Sequence, residues 1–183
     1  MANLYYAKKE FRLAVDCYNK YVDSNFFDDE EWHRFLTHLE QSFIKVELGC
    51  RDLGPSLKKY HKEVYSIRME DPLLRYLKEA RNTYTHDIRD VVGGEPIPGA
   101  ETFPHQAEIG FADGSFKSII SEAVPLYIRL RSVRDIKGNI YDPPSEHLGK
   151  KLQDIGDICE VGMLGLKFYD TYINDIENRF IKK

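Results

Sequence analysis

Residues 73–90 read LLRYLKEARNTYTHDIRD, a stretch with the period of a helix that also carries an unusual set of polar groups. At 100° per residue one stripe is apolar and predicts a face against a core, formed by Leu73, Leu77, Ala80, Tyr84, Ile88 and Val91. The opposite side collects Arg75, Glu79, Asn82, Thr83 and His86. Asp71-Pro72 suits a helix cap followed by the first helical position, and Gly93-Gly94 is predicted to end the helix.

Apolar residues at three-four spacing predict four more helices, and therefore a mainly α fold of about five helices. The first holds Leu4 to Tyr21. The second begins at the cap Asp28, with Glu31 in the capping-box position, and stops near Gly49. The third follows Gly54-Pro55 and uses Leu57, Tyr60, Val64 and Ile67. The last is capped by Ser145 and runs from Leu148 to Phe180, about nine turns, where Gly156, Gly162 and Gly165 indicate tight packing against another helix.

Residues 93–144 predict a small antiparallel β-sheet inserted into the helical frame of 1–92 and 145–183. AEIGFA and SFKSII flank Asp113-Gly114, a dipeptide that favours a type I′ hairpin turn. PLYIRLRSV predicts a third strand, which Lys137-Gly138-Asn139 turns toward Tyr141.

Composition bounds the class of protein. A chain of 183 residues with 42% hydrophobic and 31% charged residues is expected to form a single globular domain, 1–183. We expect a cytoplasmic protein with no membrane segment, because no long apolar run or signal-peptide plan is visible. The three cysteines are far apart and indicate a reducing compartment. A net charge of −4 argues against general electrostatic binding of nucleic acid, so any such binding would have to come from a local basic patch.

Asn82 and His86 are one turn apart, so the amide is placed to hydrogen-bond and orient the imidazole. Arg81 lies on the flank of the apolar stripe, about 140° around the helix from His86. One helix cannot easily bring both side chains to one small atom. A second copy across a twofold axis would pool two arginines and two histidines in one cleft.

The run Arg81-Asn82-Thr83-Tyr84-Thr85-His86 resembles the signature of the HEPN superfamily (higher eukaryotes and prokaryotes nucleotide-binding domains), an arginine and a histidine separated by four to six residues. The resemblance implies a helical bundle that dimerises to form a metal-independent endoribonuclease, found in bacterial toxin-antitoxin and antiviral systems. It assigns catalysis to Arg81, Asn82 and His86 and requires no cofactor. Some HEPN toxins have a modifiable tyrosine two places after the histidine, where this chain has Ile88. Any antitoxin or regulator would be a separate protein.

These residue types suit RNA cleavage, because RNA supplies its own 2′-hydroxyl nucleophile. An imidazole can transfer the proton, and a guanidinium can fork onto the phosphate oxygens, leaving a 2′,3′-cyclic phosphate. Two alternatives stay open. One is a catalytically silent dimerisation module that binds a nucleotide or a protein; the other is a structural bundle in which Arg81 pairs with an acid such as Glu79.

Other polar groups give weaker signals. Arg129 and Arg131 alternate on one face of the third predicted strand, with Lys117 near, and could hold an RNA backbone, although a solvated face is the simpler interpretation. Lys58, Lys59, Lys62 and Arg68 form a basic strip that is more typical of a solvent-facing helix. The histidines lack zinc-ligand spacing, so we predict no metal site.

Overall fold

The computed structural model describes residues 3–26, 28–52, 54–86, 91–96, 103–110, 116–123 and 126–182. Side chains are described within these ranges except in 84–86, 96, 103–110, 116–123 and 126. The fold is mainly α-helical, with short two-stranded antiparallel sheets. Across the described ranges, no helix combines the length and apolarity that a membrane crossing requires.

The described residues include five α-helices, which form the frame, and the first four begin where the sequence predicts them. They are α1 Tyr5–Asp23, α2 Asp29–Cys50, α3 Pro55–Glu70, α4 Pro72–His86 and α5 Ile158–Ile176, which continues as a π-helical segment, Glu177–Ile181. Asp28 caps α2 by accepting from the backbone N–H of Glu31 at 3.3 Å. The reciprocal capping-box bond is absent from this described helix start, because the Glu31 carboxylate instead accepts from Arg34 and the Asp28 N–H donates to Ser24.

The core lies between the helices. Trp32 and Phe35 of α2 are fully buried, and their rings pack at tilted angles against Tyr21 and Tyr18 of α1. Gly162 and Gly165 of α5 confirm the predicted close approach: an added Cβ would strike the Tyr18 ring at the first and lie 2.6 Å from Leu77 Cδ1 at the second.

The described residues form four antiparallel strand pairs. The strands are β1 Val92–Pro96, β2 Phe103–Gly110, β3 Phe116–Ala123, β4 Leu126–Leu130, β5 Val133–Arg134, β6 Ile140–Tyr141, β7 Glu146–His147 and β8 Lys150–Lys151. The pairs are β1–β4, β2–β3, β5–β6 and β7–β8. The predicted hairpin is β2–β3, and its Asp113-Gly114 turn lies outside the described residues.

Gly93 and Gly94 lie in β1, which corrects their predicted role as the end of the fourth helix. The two glycines face Arg129 and Ile128 of β4, so the third predicted strand pairs with β1 and not with β3. A side chain at Gly93 would collide with the guanidinium of Arg131, which lies against the bare backbone there.

The last helix was predicted to start after Ser145, and this is wrong. It starts at Ile158, where Asp157 caps it by accepting from the N–H of Cys159 at 2.7 Å. Residues 145–157 instead form β7–β8 and a turn at Gly156, whose φ of +88° is incompatible with a helix. The physical reason lies in α4, because Asp71 accepts from His147 Nδ1 at 3.0 Å and from the Leu148 N–H at 2.6 Å. The strand region therefore extends to Lys151, beyond the predicted limit at 144.

The predicted basic strip on α3 also needs correction. Lys58, Lys59 and Lys62 are exposed, as predicted, but Arg68 is only 2% exposed. Its Nε donates to Tyr169 Oη at 2.8 Å, its Nη2 contacts Glu40, and its guanidinium lies 4.4 Å from the ring centre of Phe43. Ile67, predicted to face the core, is 41% exposed.

Candidate functional site

The candidate site lies on helix α4, which is capped and packed against the core. Asp71 caps it by accepting from the Leu74 N–H at 2.9 Å, as predicted. Leu73, Leu77 and Ala80 of the predicted apolar stripe are all buried. A capped helix with a fully packed face holds its remaining side chains in defined directions.

The polar side of α4 is less exposed than predicted. Glu79 is 7% exposed and Thr83 is 3% exposed. Strand β5 covers this side, because the Thr83 hydroxyl donates to the Arg134 carbonyl at 2.9 Å. Tyr76, about two turns earlier on the helix, donates to the Arg131 carbonyl at 2.6 Å. The prediction that this face is solvent-exposed came from the helical period alone. The helical period contains no information about a strand that covers the face.

A chain of hydrogen bonds runs along this side to Arg81. Glu79 accepts from Lys78 Nζ at 3.2 Å with one oxygen and from Asn82 Nδ2 at 3.1 Å with the other. Asn82 Oδ1 then accepts from Arg81 Nη1 at 3.1 Å. The amide of Asn82 therefore stands between Glu79 and Arg81 and orients the guanidinium. Arg81 and Asn82 are both partly exposed.

His86 is the last residue of α4, and its side chain lies outside the described part of the structure. Its predicted hydrogen bond with Asn82 and its convergence with Arg81 stay predictions. The described bonds of Asn82 show that the amide also holds Arg81, a role that the sequence did not indicate.

His33 of α2 is a second imidazole near Arg81 that sequence reasoning set aside. Partial burial lowers the pKa of His33, the positive charge of Arg81 lowers it further, and Glu30 opposes them. One ring nitrogen lies 3.5 Å from the Thr37 hydroxyl. No local sequence signal links His33 to Arg81, because the two residues are far apart in the sequence and belong to different helices.

The three basic residues predicted to hold RNA have different surroundings. Arg129 contacts Asp154 through both terminal nitrogens, at 3.1 and 2.5 Å, and stacks over Tyr127 at 5.0 Å. Arg131 is exposed and lines a cavity beside Gly93 and Gly94. The side chain of Lys117 lies outside the described residues. Arg129 is thus anchored on the turn before α5, whereas Arg131 reaches solvent.

Within the described ranges, no three His, Cys, Asp or Glu side chains are grouped as a metal site would require. Comparisons with protein-family models, with curated proteins and with solved structures find no match to this chain.

Proposed function

We propose that this protein is a metal-independent endoribonuclease of the HEPN type, with Arg81, Asn82 and His86 in its active cleft. The observation that carries the proposal is the bond from Arg81 Nη1 to Asn82 Oδ1 on a partly exposed part of α4. The Asn82 amide fixes the direction of the Arg81 guanidinium, and a guanidinium can fork onto two phosphate oxygens.

The proposed reaction is an internal transesterification of RNA. The 2′-oxygen forms a bond to phosphorus while the bond from phosphorus to the 5′-oxygen breaks. An imidazole takes the 2′-hydroxyl proton, and a protonated group supplies one to the leaving 5′-oxygen. The products are a 2′,3′-cyclic phosphate and a 5′-hydroxyl end. Arg81 stabilises the charge on the phosphate oxygens in the transition state.

His86 is the proposed acid–base residue, and the surroundings of His33 suit the base role as well. Burial and the charge of Arg81 lower the pKa of His33, which favours the neutral imidazole that a general base requires. A homodimer would supply a second set of the same groups. That arrangement fits an RNA-cleaving toxin or antiviral effector controlled by a separate antitoxin or regulator.

The test is cleavage of a labelled RNA by the purified protein in the presence of a chelator. Wild type should produce fragments that end in 2′,3′-cyclic phosphate, and His86→Ala should reduce the rate at least about 100-fold. His38→Ala is the matched control, because His38 is bound to Glu10 of α1 at 2.7 Å, and it should retain the wild-type rate.

A parallel His33→Ala variant distinguishes the contribution of His33 to the reaction from that of His86. A loss comparable to that of His86→Ala would place both rings in the reaction, and a wild-type rate would leave His86 as the base. Absence of cleavage by the folded wild-type protein, or equal rates for His86→Ala and wild type, would contradict the proposal and favour the silent binding module.

A further inference from the structure

A cavity of about 250 Å³ lies between the C-terminal end of α2, the start of α3 and the end of α5. Its floor is apolar and rigid, since Val46, Leu57 and Ile176 are at most 4% exposed. Ligand cavities for drug-sized molecules start at roughly 300 Å³, so this space suits a smaller ligand.

The rim of the cavity is charged. Arg51 and Lys58 line it from α2 and α3, and both residues are exposed. The opposing charge is Glu47, whose side chain is 64% exposed. Two cations against one exposed carboxylate give the rim a net positive charge, which favours an anionic group above an apolar body.

His61 supplies a directed donor at the same rim. Its Nδ1 lies 2.5 Å from Tyr172 Oη, and its ring packs on Phe43 with centres 4.9 Å apart. Burial raises the pKa of Tyr172, so the hydroxyl keeps its proton and donates it to Nδ1. Burial lowers the pKa of His61, and the carboxylate of Glu47 opposes that effect. Because Nδ1 accepts from Tyr172, the neutral ring carries its hydrogen on Nε2. Glu47 Oε2 is 3.7 Å from that nitrogen, beyond hydrogen-bond distance.

We propose that this cavity binds a small carboxylate with a compact apolar body of about six carbons. The body lies on Val46, Leu57 and Ile176. The carboxylate meets Arg51 and Lys58 and accepts from His61 Nε2. This site goes beyond the proposed nuclease and is independent of it. His33, beside Arg81, and Glu47 are fourteen residues apart on α2, about 21 Å at 1.5 Å per residue.

The test is an NMR titration of the full chain with hexanoate, hexanol and hexylamine, which differ in the head group. The alkyl chains of hexanol and hexylamine are one methylene longer than that of hexanoate, so weaker binding of these two compounds reports the head group and not a smaller apolar body. Hexanoate should bind with a Kd on the order of 1 mM or tighter, shifting the signals of Leu57 and His61. Hexanol and hexylamine should bind at least about tenfold more weakly. Shorter carboxylates should weaken by about fourfold for each CH₂ removed, because each methylene loses apolar contact.

Single substitutions test which side chains bind the carboxylate group. Arg51→Gln and Lys58→Gln should each weaken hexanoate binding about tenfold. Lys62→Gln, the same charge change on an exposed residue of α3 outside the cavity lining, should leave the affinity unchanged.

The proposal is overturned if hexanoate does not bind, if hexanol binds as tightly, or if Arg51→Gln and Lys62→Gln behave alike. RNA cleavage by Arg51→Gln should equal that of wild type. A result that contradicts the proposed carboxylate site can therefore be distinguished from one that contradicts the proposed nuclease.

Discussion

Two arginines on neighbouring helices, Arg68 of α3 and Arg81 of α4, have the same charge in opposite surroundings. Arg68 is 2% exposed, and its donors meet Glu40 and Tyr169 inside the protein. Arg81 is partly exposed and is held by the neutral amide of Asn82. A guanidinium enclosed beside a carboxylate stabilises the fold, whereas a partly exposed guanidinium that an amide orients can also reach a ligand. The comparison therefore separates a structural arginine from a candidate catalytic one.

The largest expected effect is loss of stability on removing the enclosed arginine. Arg68→Ala leaves the Glu40 carboxylate, 14% exposed, without its cation and opens space beside Phe43. We expect the free energy of unfolding in urea to fall by about 3–5 kcal/mol. Arg179→Ala is the control, since that arginine is 58% exposed and pairs with the partly exposed Asp175 one turn earlier, and it should change stability by less than about 1 kcal/mol. Similar losses for the two variants would contradict the assignment of Arg68 as structural.

A smaller effect is expected at the base of α4, where Asp71 joins the helix start to the segment after β6. Asp71→Asn removes the charge that Leu74, His147 and Leu148 hold by hydrogen bonds. We expect a loss of about 1–3 kcal/mol near neutral pH, measured by urea unfolding.

The same variant gives a pH test with a defined sign. Burial acts to raise the pKa of Asp71, but the bonds from His147, Leu148 and Leu74 outweigh it and hold the pKa below its ordinary value. A lowered folded-state pKa contributes stability that is present above the unfolded-state pKa and is lost as pH falls through the folded-state pKa. The difference between wild type and Asp71→Asn should therefore shrink below about pH 4. A difference that stays constant or grows in acid would contradict this account.

The smallest expected effect on stability is at Arg81. Arg81→Ala removes a partly exposed side chain whose described bond goes to Asn82, and Asn82 keeps its bond to Glu79. We expect the free energy of unfolding to change by less than about 1 kcal/mol. A loss as large as that of Arg68→Ala would place Arg81 among the structural arginines and remove the contrast between them.

The sequence predicts the parts of this fold that depend on local signals. Helices α1 to α4 are found where apolar spacing places them, and Asp28 and Asp71 cap as predicted, because a cap acts within three residues. The start of α5 was misplaced, since apolar spacing at Leu148, Leu152 and Ile155 continues through a segment that Asp71 holds in another conformation. The pairing of β4 with β1, and not with β3, is likewise a long-range choice.

The candidate site shows the same difference between local signals, which the sequence reveals, and long-range contacts, which it does not. Sequence pattern brought Arg81 and Asn82 to attention, because neighbours on one helix are visible in the sequence. It did not reveal the cover over Thr83, the effect of Arg81 on His33, or the burial of Arg68, since each depends on a partner in another element. The placement of the His86 side chain stays a prediction.

The most direct test of the contrast is the rate of RNA cleavage, in the presence of a chelator, by Arg81→Ala and by Arg179→Ala. Arg179 is the matched control, because it is 58% exposed and pairs with Asp175 near the end of the chain. We predict that Arg81→Ala remains folded and loses at least about 100-fold in rate, while Arg179→Ala cleaves like wild type. A folded Arg81→Ala protein that cleaves RNA at the wild-type rate would contradict the account.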